Sequence, residues 1–123
     1  MTERKRLLVV EDEEIILADL TWTLRRQGYE IAGTACSGEE AIQIALTVHP
    51  DLVLMDVRLR GRMTGIEAAQ KIQQASGVPV LFVTAHARTL AAEPPQLPGR
   101  FRSISKPFSP SQLRDSIESI FMT

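Results

Sequence analysis

Cysteine is nearly absent from this sequence, since Cys36 is the only one among 123 residues. A single cysteine excludes an internal disulfide and a cysteine-based metal cluster, and it is typical of a reducing compartment. Long apolar runs are also missing. The run "LLVV" near the amino terminus is too short for a signal sequence or a membrane span. We therefore expect a cytoplasmic protein without a membrane partner.

An excess of one charge is missing as well. The chain carries 14 Lys and Arg against 15 Asp and Glu, which gives a formal net charge of −1. This balance argues against general nucleic-acid binding, which relies on a basic surface. The length suits one domain with a core of its own. We predict a single domain over residues 1–123 that makes no direct contact with nucleic acid.

Short apolar runs alternate regularly with helical patterns along the chain. The runs that predict strands lie at residues 6–10, 30–35, 51–55, 79–84 and 101–105. Helical patterns cover residues 11–29, 37–50, 65–76 and 109–121. This alternation predicts an α/β fold, a doubly wound five-stranded parallel sheet with helices on both faces.

Two segments have particular features: the one between the fourth and fifth strands, and the first helix. Between the fourth and fifth strands, Pro94, Pro95 and Pro98 restrict any helix to a short or irregular one near residues 88–93. In the first helix, apolar residues at roughly helical spacing predict a core-facing stripe of Ile15, Ile16, Ala18, Leu20 and Leu24. Trp22 in the same helix belongs either to the core or to a surface that contacts a partner.

Polar side chains follow four of the predicted strands, each at the point where the strand ends. They are Glu11, Asp12 and Glu13 after the first strand, Asp56 after the third, Thr84 at the end of the fourth, and Lys106 after the fifth. Because the carboxyl ends of parallel strands meet at one edge of a sheet, we expect these side chains to line one cleft. Pro107 restricts the backbone of Lys106 to extended geometry.

Crowded carboxylates repel one another, and a hard cation such as Mg²⁺ relieves that repulsion. Asp56 is then the candidate nucleophile for a phosphoryl group, and Thr84 and Lys106 are placed to contact its oxygens. Each residue alone also has a structural explanation: a helix N-terminus, a loop cap, a strand former or an exposed tip. The functional interpretation depends on their occurring together, in order, at successive strand ends.

The motifs "LLVVEDEE", "PDLVLMDVRLRGRMTGIEAA", "VPVLFVTAHA" and "SISKPF" resemble the receiver domain of bacterial two-component response regulators. The resemblance extends over essentially the whole chain and includes stand-alone, single-domain receivers. It implies a flavodoxin-like fold with strand order 2-1-3-4-5. It also implies that Asp56 accepts a phosphoryl group from a histidine kinase or phosphotransfer protein.

The resemblance assigns the remaining site residues as well. Asp12 would bind Mg²⁺ directly and Glu11 through water, with Asp56 and the backbone carbonyl of Arg58 as further ligands. Thr84 and Lys106 would contact the phosphoryl group. The peptide bond between Lys106 and Pro107 is often cis in the family.

The sequence departs from the family pattern at the surface that carries the signal. Ser103 stands where most receivers have an aromatic residue that swings inward on phosphorylation. Phe101, on the same strand face, either replaces that residue or packs in the core. Two further features are open. His86 either controls access of an attacking water or has no role. The basic loop of Arg58, Arg60 and Arg62 either docks an acidic partner or phosphodonor, or is simply solvated.

The leading hypothesis is a phosphoacceptor switch that catalyses only its own phosphorylation and dephosphorylation and changes partner binding. The alternative is a degenerate receiver that acts as a constitutive interaction module. An aspartate-based phosphohydrolase is disfavoured because Arg58 replaces the second acid of its D-x-D motif, and a flavin carrier because "EDEE" repels phosphate. The sequence does not identify the kinase or the downstream protein. It is compatible with a monomer or a phosphorylation-dependent dimer, and with a fragment of a longer protein.

Overall fold

The computed structural model describes residues 4–122 and shows five parallel strands in a single sheet. The strands are β1 (Arg6–Val10), β2 (Glu30–Ala35), β3 (Leu52–Asp56), β4 (Val80–Thr84) and β5 (Phe101–Ser105). The helices are α1 (Glu14–Arg26), α2 (Gly38–Val48), α3 (Gly65–Ser76), α4 (Ala87–Ala92) and α5 (Pro110–Phe121). The strand order β2-β1-β3-β4-β5 confirms the predicted flavodoxin-like topology.

Each face of the sheet packs against a separate hydrophobic core. Along β1, Leu7 and Val9 enter the core covered by α1 and α5, whereas Leu8 and Val10 enter the core covered by α2 and α3. A strand that is buried on both faces has no polar position to alternate with. This is why the strand segments of the sequence are nearly continuous apolar runs.

Side-chain caps fix where three of the helices begin. Ser37 accepts a hydrogen bond from the backbone of Glu40 at the start of α2. Thr64 and Ser109 form reciprocal capping boxes with the third residues of α3 and α5, so both helices have well-defined first turns. The start of α3 matters most for the site described below, because this helix begins close to the end of β3.

The predicted core stripe of α1 is wrong at two positions. Ile15 is 86% exposed and Ala18 is also exposed, whereas Leu20 and Leu24 are buried. Trp22 lies seven residues after Ile15, so the two share the outer face of the helix. Trp22 is 60% exposed, and the Arg26 guanidinium lies 4.8 Å from its ring centroid. The tryptophan is therefore outside the core, and a partner-contacting role stays a prediction.

The fourth helix is short, as predicted: α4 has six residues and none of them is buried. The proline-rich segment after it is held against α3 instead of continuing as a helix. Gln70 donates to the Gln96 carbonyl at 3.2 Å, and the buried Gln73 bonds both Gly99 and Arg100. Within the described residues, no helix is long and apolar enough to cross a bilayer.

Candidate functional site

A pocket of about 260 Å³ opens at the carboxyl edge of the sheet. It brings together residues from the ends of four strands: Glu11, Asp12, Glu13, Asp56, Arg58, Thr84, His86 and Lys106 all line it. Every site residue predicted from the sequence is in this set. The first helix begins only at Glu14, so the acidic residues before it lie in the loop after β1 and face the end of β3.

Backbone hydrogen bonds between neighbouring strands hold the ends of the loops in place. Glu11 N–H donates to the Ala35 carbonyl at 3.0 Å, and Lys106 N–H donates to the Thr84 carbonyl at 2.9 Å. The Lys106–Pro107 peptide bond is cis, as the family resemblance implies. The loops that carry the charged side chains are therefore anchored at the sheet.

Asp56 is the centre of the site. It is 8% exposed, its Oδ2 accepts a hydrogen bond from Lys106 Nζ at 3.0 Å, and its Oδ1 accepts one from the backbone N–H of Arg58 at 3.1 Å. The Thr84 hydroxyl accepts a hydrogen bond from the His86 backbone at 3.1 Å. The lysine ammonium therefore contacts Asp56 directly, and the threonine hydroxyl lines the same pocket.

Gly65 is a positioning residue that the sequence analysis missed. It begins α3 directly after the Thr64 cap, and its N–H donates to the Val57 carbonyl at 2.9 Å. A Cβ at this position would overlap the Asp56 carbonyl oxygen. The glycine therefore allows α3 to begin against the strand end that presents Asp56. A glycine immediately after a helix cap was the available signal.

The donor set fits a small hard cation. Glu11, Asp12 and Asp56 each offer a carboxylate oxygen, and these oxygens all lie within 4.8 Å of one another. Oxygens bound to octahedral Mg²⁺ lie about 3 to 4.2 Å apart, given metal–oxygen distances of about 2.1 Å. A small contraction of this cluster would therefore suffice. The Arg58 carbonyl as a further ligand stays a prediction.

Burial and charge interactions in the pocket change two ionisation equilibria. Burial, a hydrogen bond to Asp56 and the charge of Asp56 together raise the pKa of Glu11 from 4.5 to about 8. Burial alone would lower the pKa of Lys106, but its hydrogen bond to Asp56 and the surrounding carboxylates raise that pKa overall. Without a metal, Glu11 is therefore largely protonated at neutral pH, and Lys106 is firmly charged.

A family model for the response regulator receiver domain matches residues 7–118. The chain belongs to this family. The transcriptional regulatory protein PdtaR of Mycobacterium tuberculosis is 40% identical to the receiver over 114 residues, which cover 93% of this chain and 55% of PdtaR. The chain thus spans about half the length of the curated relatives that it matches.

Solved structures confirm the receiver fold. The PhyR receiver domain of Erythrobacter litoralis is 32% identical, with a TM-score of 0.82 over 97% of this chain and 91% of that chain. The chemotaxis protein CheY4 of Vibrio cholerae is 25% identical, with a TM-score of 0.80 over 96% of this chain and 99% of that chain. Both similarities extend over nearly the whole receiver.

Three residues, two on β5 and one in the pocket, bear on the open points of the sequence analysis. Phe101 packs edge to face against Phe82, with ring centroids 5.8 Å apart, and contacts the core beneath α3. This contact favours a packing role. Ser103, two residues later on β5, is half-buried. The exposed His86 lines the pocket, and its effect on phosphate lifetime stays a prediction.

Glu11 should make the stability of the metal-free receiver depend on pH. Between pH 4.5 and about 8 the unfolded chain has released the Glu11 proton while the folded chain still holds it. The contribution of Glu11 to the free energy of unfolding is therefore complete below pH 4.5 and decreases as pH rises to about 8. Urea unfolding in EDTA across this range measures the decrease. Glu11→Gln removes the titrating group and should flatten the curve, so equal slopes in both proteins would contradict the assignment.

Proposed function

We propose that this receiver domain is a phosphoacceptor switch. Asp56 takes a phosphoryl group from a histidine kinase or phosphotransfer protein, in a reaction that requires Mg²⁺, and the product changes partner binding. The observation that carries the proposal is the position of the Asp56 carboxylate, between the Lys106 ammonium at 3.0 Å and the carboxylates of Glu11 and Asp12. The partners of such a switch belong to the cytoplasm.

The side chains around Asp56 suit phosphoryl transfer. An Asp56 oxygen forms a bond to phosphorus while the bond from phosphorus to the donor's histidine nitrogen breaks, and the imidazole leaves with that electron pair. Lys106, which pairs with Asp56 before the reaction, can move to an oxygen of the arriving phosphoryl group. The Thr84 hydroxyl can donate to another oxygen, because its contact with His86 uses only its acceptor capacity.

Glu11, Asp12 and Asp56, together with the Arg58 carbonyl, are the residues that would hold Mg²⁺. When bound, the metal supplies positive charge that offsets both the carboxylates and the phosphoryl oxygens. The protein's own contribution is to keep the acidic residues close together before any ligand arrives. Burial of Glu11, which is 2% exposed, makes its ionised form costly without a cation, in agreement with its raised pKa.

The output surface of the switch differs from the usual family pattern. A groove of about 460 Å³ beside β5 is lined by small and polar side chains, including Ser103, Ser105 and Asp115. Among relatives, PdtaR is a transcriptional regulatory protein and the PhyR of Bartonella quintana is an anti-anti-sigma factor. The downstream protein of this receiver, and whether the switch acts as a monomer or a phosphorylation-dependent dimer, are matters for experiment.

One observation favours a second candidate function. Ser103 replaces the aromatic residue that would report phosphorylation, so a constitutive interaction module is the alternative. The acidic set and Lys106 are nevertheless complete and brought together. Either way, we propose that the receiver is not an enzyme acting on other molecules, and that the phosphoryl chemistry is confined to its own Asp56.

The test is intact mass spectrometry after incubation of the wild-type receiver with acetyl phosphate. A single phosphoryl adduct is expected with Mg²⁺ and none in excess EDTA, because the carboxylates repel an anionic donor when no metal is present. The same incubation after heat denaturation controls for non-specific acylphosphate chemistry. An adduct that forms equally in EDTA would contradict the metal-dependent switch. No adduct with acetyl phosphate and none with a panel of kinases would favour the constitutive module.

A further inference from the structure

Arg60 contacts one of the three carboxylates that form the acidic cluster. It lies in the loop between β3 and α3, four residues after Asp56. Its backbone N–H donates to Asp12 Oδ2 at 3.1 Å, and its guanidinium Nε lies 3.5 Å from the same oxygen. The side chain of Asp12 is 16% exposed, whereas that of Arg60 is 81% exposed.

The Arg60 guanidinium and a bound divalent cation would compete for the Asp12 carboxylate. Asp12 is also one of the carboxylates suited to a divalent cation, and a positive charge beside it reduces its attraction for a second one. The backbone contact can persist with a metal bound, because it needs no charge. A bound metal would weaken the guanidinium contact, because the two positive charges repel each other.

Arg60 also differs from the other arginines of its loop. Arg58 and Arg62 are exposed, and in the part of the chain that the structure describes neither side chain forms an ion pair. The cluster of Glu11, Asp12 and Asp56 is therefore contacted by two cationic side chains. Lys106 pairs with Asp56, and Arg60 pairs with Asp12.

We propose that Arg60 is an internal competitor of the metal. Its guanidinium neutralises Asp12 in the metal-free receiver and is displaced when Mg²⁺ binds, an inference that rests on the proposed function. The displaced guanidinium, which is already largely exposed, then has its donors free beside Asp12. A planar guanidinium is well matched to the oxygens of a phosphodonor. Arg60 thus couples metal occupancy to capture of the donor.

The primary experiment measures Mg²⁺ affinity by isothermal titration calorimetry at low ionic strength. Arg60→Gln should tighten binding by about twofold to fivefold, the range expected for loss of a competing exposed ion pair. Arg62→Gln removes the same charge from the same loop without removing a contact to Asp12, so it is the matched control. The difference between the variants should shrink at high salt, where exposed charges are screened.

A second measurement follows the guanidinium itself. The Arg60 Nε–H resonance in ¹⁵N spectra of the wild-type receiver should move during the Mg²⁺ titration, while that of Arg62 moves much less. Equal affinity changes in the two variants, or an Arg60 resonance that does not respond to the metal, would overturn the proposal. If none of the three proteins binds Mg²⁺, the metal site and the proposed function are both wrong. That outcome is distinct from failure of the Arg60 proposal alone, in which all three proteins bind Mg²⁺.

Discussion

Replacing Asp56 by asparagine is expected to abolish the phosphoryl adduct that forms with acetyl phosphate and Mg²⁺. An amide oxygen is a far weaker nucleophile than a carboxylate, and Asp56 is the pocket acid that forms an ion pair with Lys106. The measurement is intact mass of both proteins after equal incubation. An adduct of similar yield on the variant would show that another residue, such as Asp12, is the acceptor.

The fold should survive this substitution. Asparagine retains an oxygen that can accept from the Arg58 backbone or from Lys106, both of which donate to Asp56. Removing one of the crowded carboxylates also relieves repulsion in the metal-free pocket. We therefore expect a melting temperature within a few degrees of the wild-type value.

Asp51→Asn provides the matched control. Asp51 precedes β3 at the opposite end of the strand from Asp56, and its exposed carboxylate accepts from the Arg6 backbone at 2.8 Å. The substitution makes the same chemical change far from the pocket. Labelling of this variant should equal that of the wild type, and a large loss would point to a global rather than a local effect.

Replacing Lys106 by methionine should slow phosphorylation by about tenfold or more, because the transferred phosphoryl group loses a positively charged donor. The same change should tighten Mg²⁺ binding, since it removes a cation that pairs with Asp56 at 3.0 Å. A slower phosphorylation rate together with a higher Mg²⁺ affinity would indicate that Lys106 contacts the phosphoryl group. A merely structural role would not move the two quantities in opposite directions. Labelling kinetics and calorimetry on one sample measure both.

Lys71→Met serves as the control for this pair of effects. Lys71 is exposed on α3 and does not line the pocket. The Lys71→Met substitution should change neither the phosphorylation rate nor the Mg²⁺ affinity appreciably. A Lys106 variant that phosphorylates at the wild-type rate, or one in which rate and metal affinity fall together, would contradict the assigned role.

Much of this molecule was determined by local patterns in the sequence. The apolar runs of β1, β3 and β4 are buried on both faces, so they predict a covered parallel sheet without tertiary information. The prolines after Glu93 determine a short α4 because they cannot continue a helix. The residues that line the pocket could be predicted because the carboxyl ends of parallel strands lie at a common edge of the sheet. Residues that follow different strands are therefore close together in space.

Other features were decided only when the elements packed together. The sequence analysis placed Ile15 and Leu20 in one stripe, but five residues put them about 140° apart around α1. Packing against the sheet buries the face of Leu20 and leaves that of Ile15 exposed. The contact of Gly65 with Asp56 depends on the path of a loop. The raised pKa of Glu11 and the pairing of Arg60 with Asp12 likewise depend on distances between separate segments. Burial and charge interaction vary with position in three dimensions, which residue order alone does not specify.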